Sequence, residues 1–284
     1  ATIVGNIILS GENITLKGID FTSAGEFALT VNGAKNITLQ DCKFQSGAGS
    51  DTKFYYGAGC LGGDVTIKNC LVQGFTSWYL ADLSTTSAVP TVRLDTVLID
   101  GNYFKNNQGC FAVRGMTADP NYLVSYTNNK FETDTLHSSY WDAAESNNCK
   151  KTVFTGNELI YPVGTELEAG KKGVLQTWNK SAKPWVLIYK NNKVSNIKFA
   201  LKIVLTNGFY APNIDDDDFE VSFDAVHSNV TYAMSLLYKK NDGSQSSALK
   251  YHPNVQNEYT PTNIGVVPNI IPVNPYSYTL VGPS

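Results

Sequence analysis

Apolar and polar residues alternate along the first two hundred positions in short bursts, and the bursts recur. Seven segments align without gaps: ITLKGIDF (14–21), ITLQDCKF (37–44), VTIKNCLV (65–72), VLIDGNYF (97–104), VSYTNNKF (124–131), TVFTGNEL (152–159) and LIYKNNKV (187–194). Their starts lie 23 to 35 residues apart, the spacing of a solenoid in which each repeat is one coil and the loops differ in length. The first column (Ile14, Ile37, Val65, Val97, Val124, Thr152, Leu187) and the third (Leu16, Leu39, Ile67, Ile99, Tyr126, Phe154, Tyr189) are two residues apart, so in a strand both face the interior. The fifth column holds only Gly, Asp and Asn, from Gly18 to Asn191, the residues that tolerate left-handed backbone angles, and it predicts a corner between two strands. In the sixth column Ile19, Cys42 and Cys70 precede Asn102, Asn129, Asn157 and Asn192, four asparagines predicted to stack and share amide hydrogen bonds. The eighth column, Phe21 to Val194, returns to the interior.

Between units lies a further run predicted to form a third sheet: FALTV (27–31), AGCLG (58–62), WYLAD (78–82), CFAVR (110–114), YWDAA (140–144), VLQTW (174–178) and ALKIV (200–204). These columns make the chain similar to the pectate-lyase-like right-handed parallel β-helix superfamily, in which a short corner and an interior asparagine ladder are typical. The resemblance spans residues 1 to about 205 and implies an all-β, single-stranded solenoid of about seven to eight coils. It implies no single function, because lyases, polysaccharide hydrolases, phage tailspikes and bacterial surface proteins share that fold.

After Ile203 the gapless unit stops, which places a boundary between a β-helix (1–205) and a β-rich C-terminal cap (206–284). FEVSFDAV and VTYAMSLLYKK alternate, so 219–250 is expected to form a small antiparallel layer. The final stretch carries Pro261, Pro268, Pro272, Pro275 and Pro283 among apolar residues, and it reads as an extended arm that packs along the coil or onto a neighbouring subunit.

Composition narrows the functional classes. The net charge of −3 provides no field to gather nucleic acid or anionic lipid, and no run reaches the roughly 18 apolar residues of a membrane helix. The five cysteines are odd in number and have no metal-ligand spacing, which favours buried thiols, and the start ATIVGNIILS lacks a signal-peptide pattern, which favours synthesis in the cytosol. No cofactor is expected. Asp215, Asp216, Asp217 and Asp218 are the one candidate for Ca²⁺, but consecutive residues diverge and lack the spaced pattern of a calcium loop.

Were the chain an enzyme, the superfamily chemistry of a lyase or glycoside hydrolase would fall to Asp82, Arg114, Asp142 and Lys202, read together with Gln176 as one outward stripe of the third sheet, with Glu145 and Trp178 nearby. Trp78, Tyr79, Tyr140, Trp141 and Trp178 are the candidates for stacking on sugar rings. His137, His227 and His252 are scattered and read as structural. The leading expectation is a non-enzymatic virion surface protein, a capsid decoration or tailspike-like adhesion protein. It would be made in the host cytoplasm, assembled as a homo-oligomer such as a trimer, and in contact with other virion proteins or a cell-surface glycan. A polysaccharide lyase or glycoside hydrolase and a secreted bacterial glycan-binding surface protein are the alternatives.

Overall fold

The structure is a computed structural model, and it describes residues 2–24, 27–47, 53–57, 62–75, 78–81, 94–107, 111–114, 122–134, 143–147, 149–167, 172–177, 185–205, 219–238 and 276–281. The aligned units are in hydrogen-bonded register without offset. Ile14 pairs with Ile37, and the parallel ladder runs through Val65, Val97, Val124, Thr152 and Leu187. The eighth column forms a second parallel ladder from Ile3 through Phe21, Phe44, Val72, Phe104, Phe131 and Leu159 to Val194. A third sheet aligns Phe111, Ala144, Val174 and Leu201. The chain is thus an all-β parallel solenoid of the right-handed β-helix type.

The interior follows from the columns. Phe21, Phe44, Val72, Ile99, Tyr126, Phe154 and Tyr189 are all fully buried, and rings stack along the axis, with Phe154 and Tyr189 at 5.3 Å and Phe104 and Phe131 at 4.7 Å. Each such side chain contributes about 1.5–3 kcal/mol of burial, but only when a neighbouring coil covers it. At the corner, Gly18, Asp41, Asn69, Gly101, Asn128, Gly156 and Asn191 all have φ between 52° and 69°, as the composition of the fifth column requires.

The turn at the corner leaves two backbone groups per coil without a strand partner, and the sixth column supplies one. Asn102 Nδ2 donates to Ile67 O at 2.8 Å while its Oδ1 accepts from Cys70 N at 2.8 Å, both groups belonging to the coil before. Asn129 does the same for Ile99 O and Asn102 N, and Asn157 for Tyr126 O and Asn129 N. Asn192 closes the series on Phe154 O and Asn157 N. Side-chain bonds of 3.0–3.2 Å link Asn102 to Asn129, Asn129 to Asn157, and Asn157 to Asn192. The cysteines of this column serve the same carbonyls less well: Cys42 Sγ reaches Leu16 O at 3.4 Å but lies closer to Gln40 O of its own coil, and Cys70 Sγ reaches Leu39 O at 3.6 Å but lies closer to Lys68 O. A thiol can reach the carbonyl but offers no amide oxygen to the N–H. Burial pushes the Cys70 thiol up to about 12, so it stays protonated and able to donate.

Several expectations are corrected. The antiparallel layer expected over 219–250 is, in its described part, another parallel coil: Phe219–Tyr238 pairs with Trp185–Leu205, and Val221 falls opposite Leu187. Its corner is one residue shorter, with the register shifting between Tyr189 and Asn192, and a gapless alignment passes over it. Antiparallel pairing comes instead from Tyr276–Val281, the described part of the proline-rich arm, which lies along 220–225 of the same chain. In the third sheet, Lys53–Gly57 takes the place expected of 58–62, and Ala144–Asn147 that of 140–144. Apolar content misplaced these strands; hydrogen-bond register fixes them.

The amide ladder sets a measurable order of sensitivity. Asn129→Ala orphans Ile99 O and Asn102 N–H, and the expected loss is about 2–4 kcal/mol. Asn69→Gly, at an exposed corner that glycine fits, is expected to change stability by less than about 1 kcal/mol. Equilibrium urea unfolding of both variants checks this, and equal losses would contradict it.

Candidate functional site

With the interior spoken for, function falls to the outward columns. In the first sheet the second column carries Thr15, Thr38 and Thr66 in register on three successive coils. Just before them, Asn13 and Asn36 sit at left-handed corners with φ of 59° and 55°. Asn36 Nδ2 donates to Asn13 Oδ1 at 3.0 Å, and Asn36 Oδ1 accepts from Asp64 N at 3.1 Å, so the corner residues are locked to one another. Together Asn13, Thr15, Asn36, Thr38, Asp64 and Thr66 line a shallow depression of about 360 Å³. It ends at the next coil, where Leu98 lies opposite Thr66. Hydroxyls and amides both donate and accept, a surface suited to a hydroxylated ligand.

A second cluster lies on the outside of the second sheet. Tyr103 Oη donates to Glu132 Oε2 at 2.7 Å, Lys130 Nζ lies 2.6 Å from the same oxygen, and the ammonium sits 4.9 Å from the Tyr103 ring centroid. Lys130, and then the Tyr103 hydroxyl, hold the Glu132 carboxyl below the usual range. Desolvation, followed by the bond to Glu132, raises the Tyr103 phenol. These groups satisfy one another and leave no poised acid or base. On the first sheet, Asp100 is held low chiefly by the Thr127 hydroxyl at 2.7 Å, then by the Asn128 amide and Lys68.

The expected catalytic stripe is not one row. Arg114 pairs with Ala81 and Asn147, whereas Lys202 pairs with Leu175, and Glu145 with Ala112 and Leu175, two register positions away. The Lys202 ammonium lies 5.9 Å from the Phe199 ring centroid. Gln176 belongs to an interior column and is fully buried, between Ser146 and Ile203. In the strand Trp78–Ala81 the backbone register pairs Trp78 with Phe111 and Tyr79 with Ala112. Asp82, Tyr140, Trp141, Asp142, Trp178 and Asp215 to Asp218 lie outside the described residues. Among the described residues no group of three or more His, Cys, Asp or Glu could hold a metal, and no helix is long and apolar enough to cross a membrane.

Sequence reasoning passed over the threonine depression and the Tyr103 cluster although both stood in the aligned units. Thr15, Thr38 and Thr66 are the second column, and Tyr103 and Lys130 belong to the seventh. Reading the second and seventh columns as outward-facing surface, coil by coil, would have found them.

Residues 5–199 match the family described as "Right handed beta helix region". No curated protein and no solved structure matches the chain.

The depressed carboxyls make stability depend on pH in a definite sense. Because folding lowers the values of Asp100 and Glu132, their contribution is complete above the ordinary carboxylate value of about 4 and is lost as pH falls through the folded values. Partial solvation keeps each below about 1 kcal/mol. Thermal midpoints measured from neutral pH downward should fall less steeply for a D100N/E132Q double variant than for the parent; parallel curves would contradict the assignment.

Proposed function

The chain belongs to the right-handed β-helix family, and from that premise we propose that it is a non-enzymatic surface protein of a virion, a capsid decoration or tailspike-like adhesion protein, working as a homo-oligomer such as a trimer. It engages a hydroxylated ligand, a cell-surface glycan, through the outer face of its shaft, and it docks on other virion proteins. The observation that carries the reading is the depression on the first three coils. Its lining of three threonines, two asparagines and one aspartate matches the hydrogen-bonding pattern of sugar hydroxyls. Hydrolysis by the common two-carboxylate route needs a second carboxylate across the scissile bond, and the lining has only Asp64. A lyase needs a base beside cation-holding carboxylates, and the lining holds no such set. Buried free thiols at Cys42, Cys70 and Cys149 suit a chain that folds in a reducing cytosol, as a virion protein does before it works outside.

The rigid coil stack adds to this. Ligand groups spaced along a chain meet repeated side chains at the strand spacing of about 4.8 Å, already fixed before binding.

A glycan panel screened with the full chain, alongside sedimentation analysis, tests the proposal. The expected results are retention of at least one glycan class, weakening by about tenfold in Asp64→Ala, an oligomer at micromolar concentration, and no release of reducing ends or unsaturated products. Sustained turnover of a polysaccharide, or a stable monomer that retains no glycan, would overturn it.

A further inference from the structure

Away from the corner ladder, one level of the interior gathers several polar side chains. Where other coils place Val113 and Ile203 in the third sheet, two successive coils place Ser146 and Gln176, which are adjacent in register. Where other coils begin the first sheet with Ile, Val or Leu, this level carries Thr152. Ser146, Cys149 and Thr152 form a closed triangle, with contacts of 3.0 Å from Ser146 to Cys149, 3.2 Å from Ser146 to Thr152 and 2.7 Å from Cys149 to Thr152. All three are fully buried, and burial raises the Cys149 thiol, which keeps its proton. Gln176, also fully buried, finds a partner for neither Oε1 nor Nε2. An amide left so costs several kcal/mol, which a folded chain of marginal stability does not carry without compensation.

Proton counting narrows what compensates it. The triangle has three protons, one each on Ser146, Cys149 and Thr152, and three contacts that consume them. Its oxygens have lone pairs to spare for Gln176 Nε2 but no hydrogen left for Gln176 Oε1. The missing group is therefore a small neutral donor that can also accept.

We infer that an internal water molecule is bound at Gln176, donating to its Oε1 and bridging its amide to the hydroxyls of Ser146 and Thr152. The site is unlike the corner ladder, which is complete without solvent. It marks one level of the shaft with a polar complement that no other described level repeats, so a coil slipped by one repeat would set the amide beside Val113 in place of Ser146.

A crystal structure of the full chain at a resolution that shows ordered solvent tests this directly. The expected result is a single water-sized peak within hydrogen-bonding distance of Gln176 Oε1. An Oε1 partnered by a protein group, an empty site, or a peak too large for water would overturn it. In solution, water-to-amide cross-relaxation should reach the Gln176 side-chain protons in the parent. Its absence there would also overturn the inference, whether or not the apolar variant Q176L folds.

Discussion

A solenoid that turns a tight corner on every coil must find partners for the backbone groups the corner removes from its sheets. In this chain the third-position carbonyl and the sixth-position N–H of one coil are those groups, and the side chain at the sixth position of the next coil meets them. Asn102, Asn129, Asn157 and Asn192 each supply both a donor and an acceptor, while Cys42 and Cys70 supply the donor alone. Leaving such groups buried and unpaired would cost about 1–3 kcal/mol each. The ladder thus allows the corner to be short, and the short corner holds three sheets around one narrow core. It ends at Asn192, where the next coil presents Ala225 and a shortened corner.

This division of labour explains why the outer columns vary freely. Stacking fixes the inward residues and the corner, so Thr15, Thr38 and Thr66 on one face, and Tyr103, Lys130 and Glu132 on another, carry no packing duty. The two faces nevertheless differ in what they offer. The charged cluster is internally paired and adds to stability, most of all above the carboxylate range. The threonine depression presents hydroxyls and amides in a fixed array, and a recognition function belongs there more naturally than on the charged face.

The two ends of the stack also differ. At the N-terminal end Val4 and Ile8 are 71% and 68% exposed on the first described strands. At the other end Tyr276–Val281 lies antiparallel along 220–225, blunting part of the last parallel edge. What could be read without coordinates was whatever repeats at fixed spacing: the interior columns, the left-handed corner and the asparagine series. Two strands of the third sheet were misplaced because they follow loops of variable length and one of them, Ala144–Asn147, is small and polar. The last coil was hidden by a single missing residue. The depression was hidden because three threonines read as ordinary solvated surface until register stacks them beside Asn13, Asn36 and Asp64.

Native-state hydrogen exchange bears most directly on the claim that the amide ladder holds the shaft together. If it does, the N–H groups of Cys70, Asn102, Asn129 and Asn157, each bonded to an asparagine Oδ1 on the next coil, exchange only through a common opening with one shared free energy. Exchange of these four at unrelated rates, or at rates typical of solvated corners, would contradict it.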